Sequence, residues 1–279
     1  MKAFFYRSLR LFSRFGSARI TAAFFGMFAR FAWHINPECR KAVCANLAFV
    51  FPEKSERELA RIGESSAVNF IRYLVDFFSM DKRSSAWLIE RVRWVGYERI
   101  EALDAQGKGF MFMTGHLGNW EIAGAAMTAR GHPIASLALP HGDAALNALF
   151  DAQRKRYGMD VCPVSHVRHC FRAVKEGKTV ALLGDRDFTG NGVDVDCGGF
   201  FARLPKGPAA LAAAMKIPLV PGFLFREGDH FVGYIGEPMD MTDAGSEQEH
   251  LEACGRMIVS YIKQYPEQWF MFEPYFFKK

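Results

Sequence analysis

A chain of 279 residues, half of them hydrophobic and 27 of them phenylalanine, can bury a substantial core and fits one large domain or two small ones. Its formal net charge of +5 is unevenly placed, because Lys2, Arg7, Arg10, Arg14, Arg19 and Arg30 all precede the first acid, Glu38. Six cysteines with no CxxC pair exclude a disulfide framework and read as thiols of a reducing compartment.

The first predicted element is a helix over residues 3–15, "AFFYRSLRLFSRF", with Arg7, Arg10 and Arg14 on one side and Phe5, Leu9 and Phe12 elsewhere. A basic helix rich in Phe and Leu suits a membrane interface rather than nucleic acid. Each basic residue near an anionic leaflet adds on the order of 1 kcal/mol. The next segment, "ITAAFFGMFARFAWHI", is apolar, but Arg30 interrupts it short of the roughly 20 residues a span requires. It carries no small-residue cleavage site of a secretory signal. Seating on an anionic membrane surface is the expected arrangement, with a tilted span and a buried core helix as the alternatives. Residues 1–50 are thus expected to form a basic, aromatic, membrane-associating arm, and 51–279 a single domain.

In "FPEKSERELARI" Ser55 and Glu58 form a capping box, and Leu59, Ile62, Phe70, Ile71, Leu74 and Phe78 continue at helical period. A strand is expected at 92–96. From Gly109 strands and helices alternate: strand 109–114, helix 119–130, strand 134–139, helix 143–157, helix 166–176, strand 179–183, a long polar loop, helix 207–216, strand 218–225 and strand 230–236. Ser246 and Glu249 repeat the capping-box pattern before a last helix, which Pro266 stops. Such alternation predicts an α/β fold, a central mixed, mostly parallel sheet flanked by helices, with ligands at the carboxyl ends of strands. "HVRHC" at 166–170 has no second cluster to complete a tetrahedral set, so no metal is expected there.

The segment "GFMFMTGHLGNWEIAG" places His116 in the turn between strand and helix, with Gly115 and Gly118 allowing a tight reversal. Positions five apart diverge by roughly 140° on a helix, so Glu121 in the first helical turn would approach the imidazole from the side. A carboxylate there would fix one ring nitrogen as a donor and leave the other free to accept a proton. The competing reading is a helix-capping histidine, with Glu121 merely favouring the helix dipole. No G-x-S-x-G elbow supplies a protein nucleophile, so the attacking hydroxyl would belong to the substrate.

"HLGNWE" resembles the H-x-x-x-x-[DE] motif of the glycerolipid and lysophospholipid acyltransferases, and "GHLGNWE" is similar to the form found in the lipid A lauroyl and myristoyl acyltransferases. "NLAFVFPEKSERELARI", "RLPKGPAALAAAMKIPLVPGF" and "YPEQWFMFEPYF" resemble other blocks of that family in the same order, so that the resemblance runs from about residue 40 to the end. It implies transfer of a fatty acyl chain from acyl carrier protein, or from coenzyme A, to a hydroxyl of a membrane lipid, first of all a lipid A precursor. His116 would be the base and Glu121 its partner. Asn119, Arg154 or Arg156, and the Asp185 and Asp187 of "DRDF" would bind substrate. Arg203 and Lys206 flank a helix start that could receive a phosphate, with a solvated loop as the competing reading. No cofactor and no nucleic acid is implied, and the place implied is the cytoplasmic face of a bacterial inner membrane. "WFMFEPYF" lacks the tryptophan and arginine of the family pattern near Phe272 and Tyr275. Another glycolipid, an aminolipid or a polyene lipid therefore stands as an alternative acceptor. From outside this class, the rivals are a non-catalytic lipid-binding protein and a hydrolase in which His116 activates water.

Overall fold

A computed structural model describes residues 2–107, 109–138, 143–163, 168–188, 190–242 and 247–279. Three helices open the chain: α1 (Lys2–Phe15), α2 (Ala18–Ile35) and α3 (Pro37–Val50), each lying on the long α4 (Glu56–Ser79). The capping box that starts α4 forms as read, with Ser55 accepting from the Glu58 backbone while the Glu58 carboxylate accepts from Ser55. Leu9 is fully buried, and Phe5 and Phe25 meet edge to face at 5.6 Å, which pins the first two helices to the body. Their other faces stay bare. Phe15 is 76% exposed, and Ile20, Phe24, Met27, Phe28, Phe31 and Ile35 form an exposed apolar stripe along α2. Arg30 reaches back to Glu64 of α4 at 2.8 Å, which gives its charge a partner on that apolar helix. Among the described residues no helix is long and apolar enough to cross a membrane.

Two short helices, α5 (Ser85–Arg91) and α6 (Glu98–Ala105), flank β1 (Val92–Val95). The alternating section then reads β2 (Met111–Thr114), α7 (Trp120–Ala129), β3 (Ile134–Ala138), α8 (Ala144–Arg156), β4 (Asp160–Pro163), α9 (Arg168–Lys175) and β5 (Thr179–Leu183). The predicted helix over 166–176 and the "HVRHC" cluster begin outside the described residues, as does Ser246 of the second capping box. A hairpin of β6 (Val193–Asp196) and β7 (Phe201–Leu204) follows, then α10 (Gly207–Met215), β8 (Leu219–Glu227), β9 (His230–Ile235), α11 (Glu247–Gln264) and β10 (Phe276–Phe277).

The main sheet has seven strands in the order β1-β9-β8-β2-β5-β3-β4, and every pairing is parallel except β8 with β9. It is the mixed, mostly parallel sheet expected. Central strands buried on both faces read as continuous apolar runs, and "MFM" of β2 divides its side chains between two cores: Met111 and Met113 toward α9, α10 and α11, Phe112 toward α4, α7 and α8. The segment expected as a polar loop contains the β6–β7 hairpin, which pairs with β10 in a second, antiparallel sheet. "VDVD" does alternate at period two, but the surrounding glycines mask so short a run. Strand β4 escapes for a similar reason, since four residues ending in proline carry little pattern.

Candidate active site

β2 and β5 are adjacent and parallel, with Thr114 paired to Leu183, so the residues that follow each strand emerge side by side at the carboxyl edge of the sheet. His116 follows β2 and Asp185 follows β5. Asp185 Oδ2 accepts the His116 backbone N–H at 2.7 Å, and Oδ1 accepts the ring Nδ1–H at 2.8 Å. One carboxylate thereby holds both the backbone and the ring of the histidine. A side chain at residue 115 would crowd it: a Cβ on Gly115 would lie 3.1 Å from the Asp185 carboxyl. Asp185 is completely buried. Burial alone would oppose its ionisation, yet the His116 charge and the two hydrogen bonds from His116 outweigh it and hold the carboxyl below its ordinary value. With Nδ1 committed, Nε2 is the acceptor nitrogen, and it has no hydrogen-bond partner among the described residues. No serine or cysteine among them hydrogen-bonds to His116.

The expected His116–Glu121 pair is therefore corrected. Glu121, 3% exposed, binds Arg154 of α8 instead: Arg154 Nη2 lies 2.6 Å from Oε1 and Nε lies 3.1 Å from Oε2. Desolvation would lower the Arg154 pKa, but the Glu121 charge and hydrogen bonds overcome it and raise the value. The reason is placement. Asn119 caps α7, accepting the Ile122 N–H at 3.1 Å, so Glu121 stands in the first turn and faces α8. Buried, its carboxylate needs a permanent cation, which a guanidinium supplies in a planar fork.

The turn itself is held from two sides. Gly118 has φ +64, and a Cβ there would strike the Leu224 carbonyl of β8 at 1.9 Å, so only glycine allows Asn119 N–H to reach that carbonyl at 2.7 Å. The carboxyl-terminal segment lies across the other side. Phe270 N–H donates to the His116 carbonyl at 2.8 Å, Gly118 N–H donates to the Gln268 carbonyl at 2.8 Å, and Ser66 of α4 donates to the Trp269 carbonyl.

His116, Glu121 and Arg154 open onto a cavity of about 1190 Å³ with mainly apolar walls, among them Phe112, Met127, Ile134, Phe150, Leu182 and Leu211. Trp120 meets the His116 ring edge to face at 5.4 Å and stacks near Tyr73 at 4.3 Å. Lys206, at the start of α10, also lines this space, as does Arg186, whose Nε lies 3.1 Å from Met271 Sδ. The other expected substrate contacts lie elsewhere. Arg156 binds Asp81 at 3.1 Å, and Arg203 binds Asp194 of β6 at 2.8 Å on an exposed hairpin. Asp187 accepts from the Gly192 N–H at 2.7 Å and closes a loop, while Asn119 is occupied as a helix cap and approaches Asp76 at 3.5 Å. Of the arginine alternatives, the one that faces the cavity is Arg154. The sequence reading missed Arg186, Tyr73 and Trp120. Nothing in spacing marks Tyr73, forty-odd residues upstream, but Arg186 lies between the two aspartates already singled out.

A family model described as bacterial lipid A biosynthesis acyltransferase matches residues 3–278. The chain belongs to that family. Relatives of this acyltransferase family include a phosphatidylinositol mannoside acyltransferase of Mycolicibacterium smegmatis, 28% identical over 80% of this chain and 79% of that protein. A lipid A biosynthesis acyltransferase of Haemophilus influenzae is 25% identical over 80% of this chain and 71% of that protein. The lipid A biosynthesis myristoyltransferase of Escherichia coli is 22% identical over 86% and 76%. As in the sequence reading, the protein is an acyltransferase of the lipid A acyltransferase family.

Proposed function

We propose that the protein moves a fatty acyl chain from a thioester donor to a hydroxyl of a membrane glycolipid, with His116 as general base. One observation carries the reading: a histidine whose Nδ1 is held by a buried carboxylate opens, by its other nitrogen, onto an apolar cavity with no protein nucleophile bonded to it. Nε2 takes the acceptor's hydroxyl proton as the oxygen attacks the thioester carbonyl carbon. A C–O bond forms, the C–S bond breaks, and the departing thiolate recovers the proton from the imidazolium. General base catalysis of this kind contributes about 10²- to 10⁴-fold, with positioning of the two substrates supplying more. Asp185 stabilises the imidazolium and fixes its tautomer. The Glu121–Arg154 pair is a positioning element, since it links the helix that follows His116 to α8.

Relatives named for lipid A and for a phosphatidylinositol mannoside favour a glycolipid acceptor, with a lipid A precursor first and a mannoside second. Lys206 and Arg186 suit an acceptor bearing phosphate. Acyl carrier protein is the favoured donor and acyl-coenzyme A the alternative; exposed Lys155 and Arg156 at the end of α8 offer positive surface to an acidic carrier. The exposed apolar stripe of α2, with Arg7 and Arg14 exposed on α1, favours peripheral seating on the cytoplasmic face of a bacterial inner membrane. The test is thiol release from palmitoyl-carrier protein with and without a lipid A precursor or a phosphatidylinositol mannoside. Release that needs a lipid acceptor, together with its mass gain of one acyl group, is the expected result. Release without acceptor would make the protein a hydrolase, and no release with any donor would leave it a lipid binder.

A further inference from the structure

The residues lining the cavity beside His116 fall into two groups, one on each face of the sheet, here called its two arms. One runs beneath α7 and is walled by Phe112, Met127, Ile134 and Met159, all buried and all part of the core on the α7 face of the sheet. The other lies on the opposite face, where Leu182 and Leu211 belong to the second core and Phe171, Ala210 and Ala214 of α9 and α10 remain exposed. At about 30 Å³ per heavy atom, a sixteen-carbon chain fills on the order of 500 Å³. The 1190 Å³ here leaves room beyond one such chain.

We propose that the α9–α10 arm receives a hydrocarbon tail of the lipid acceptor while the donor's acyl chain lies beneath α7, an assignment that rests on the acyl-transfer reading. Exposure decides which chain goes where. A chain delivered by a water-soluble carrier leaves water most fully against buried apolar walls, which Phe112, Met127, Ile134 and Met159 supply beneath α7. A membrane lipid can keep part of its tail in the bilayer, so its groove can stay open along one side, as the exposed Phe171, Ala210 and Ala214 leave it. Lys206 lines the same cavity and complements an anionic headgroup attached to that tail, beside Arg186, which is ion-paired with Glu273 at 3.4 Å. His116, between the arms, is where the two reacting ends meet.

Photolabelling of the full chain tests this without requiring turnover. The probes are hexadecyl glucoside and palmitoyl-coenzyme A, each with a diazirine near the end of its chain, and adducts are mapped by peptide mass spectrometry with unlabelled probe as competitor. The glucoside probe is expected to mark α9 and α10, and the acyl probe α7 and β3. Ala214→Trp, at an exposed helical position, should cut glucoside labelling of α10 about tenfold, the effect of 1.4 kcal/mol in binding, and leave acyl labelling of α7 unchanged; Ala210→Trp serves as a second variant. Both probes marking the same arm, or Ala214→Trp weakening both equally, overturns the assignment. Correct labelling without acyl transfer by the wild-type chain would instead overturn the proposed reaction and leave the two arms standing.

Discussion

Asp185 and Glu121 are both buried carboxylates within the same few residues of space, and each has a different cation. Asp185 takes the histidine, whose charge can come and go, and Glu121 takes Arg154, whose charge cannot. Arg154→Ala should therefore leave Glu121 buried and unpaired and cost about 3–5 kcal/mol, read as a lower urea midpoint; an unchanged midpoint would show that the pair is not holding α7 to α8. The pH dependence of stability follows from Asp185. Its folded-state pKa is depressed, so its contribution is complete above the unfolded value of about 3.9 and is lost as pH falls through the folded value. The stability gap between wild type and Asp185→Asn should accordingly be widest near neutrality and close in acid, measured by urea unfolding at a series of pH values. A gap that widens as pH falls would contradict the sign. His116 itself was legible, because a histidine between two glycines after an apolar strand stands out at single-residue resolution. Its partner was not, because Asp185 lies 69 residues away and only strand order brings it near.

At the scale of elements, two family-like segments far apart in sequence meet. Asn46 of α3 donates to the Glu273 carbonyl at 2.7 Å and accepts from the Tyr275 N–H at 2.9 Å and the Phe276 N–H at 3.3 Å, so one amide ties "NLAFVFP" to "FEPYF". Since the neighbouring segment also straps the His116 turn, Asn46→Ala should lower Tm. The unsatisfied groups cost about 1–3 kcal/mol each, and a melting curve that does not shift would show the tie to be idle. For the first two helices the proposed role is a seat on the membrane. Arg7→Gln with Arg14→Gln should weaken binding to phosphatidylglycerol vesicles by about thirtyfold, as two charges worth about 1 kcal/mol each imply, with Phe28→Glu weakening it further. Cosedimentation unaffected by all three changes would remove the membrane role of α1 and α2. Long periodic helices and apolar strands were readable here because their patterns repeat. The β4 strand, the β6–β7 hairpin and α6 were not, since four to eight residues hold too few repeats to separate from a loop.

For the whole molecule, a doubly covered sheet puts His116 and Asp185 at one edge and the apolar lining of the cavity on both faces, so the site is an outcome of topology as much as of any motif. The strand order could not be read from alternation alone. Parallel pairing of β2 with β5 places His116 against Asp185, and pairing of β2 with β8 supplies the carbonyl that fixes the turn. The claim on which the account depends is that Asp185, and not Glu121, makes His116 a base. Steady-state acyl transfer by Asp185→Asn and Glu121→Gln, each checked for native near-ultraviolet circular dichroism, measures it directly. The account predicts that Asp185→Asn lowers kcat on the order of 10³- to 10⁴-fold with KM little changed, through the wrong imidazole tautomer, whereas Glu121→Gln loses far less. Near-normal turnover in Asp185→Asn, or the larger kcat loss in Glu121→Gln, would contradict it.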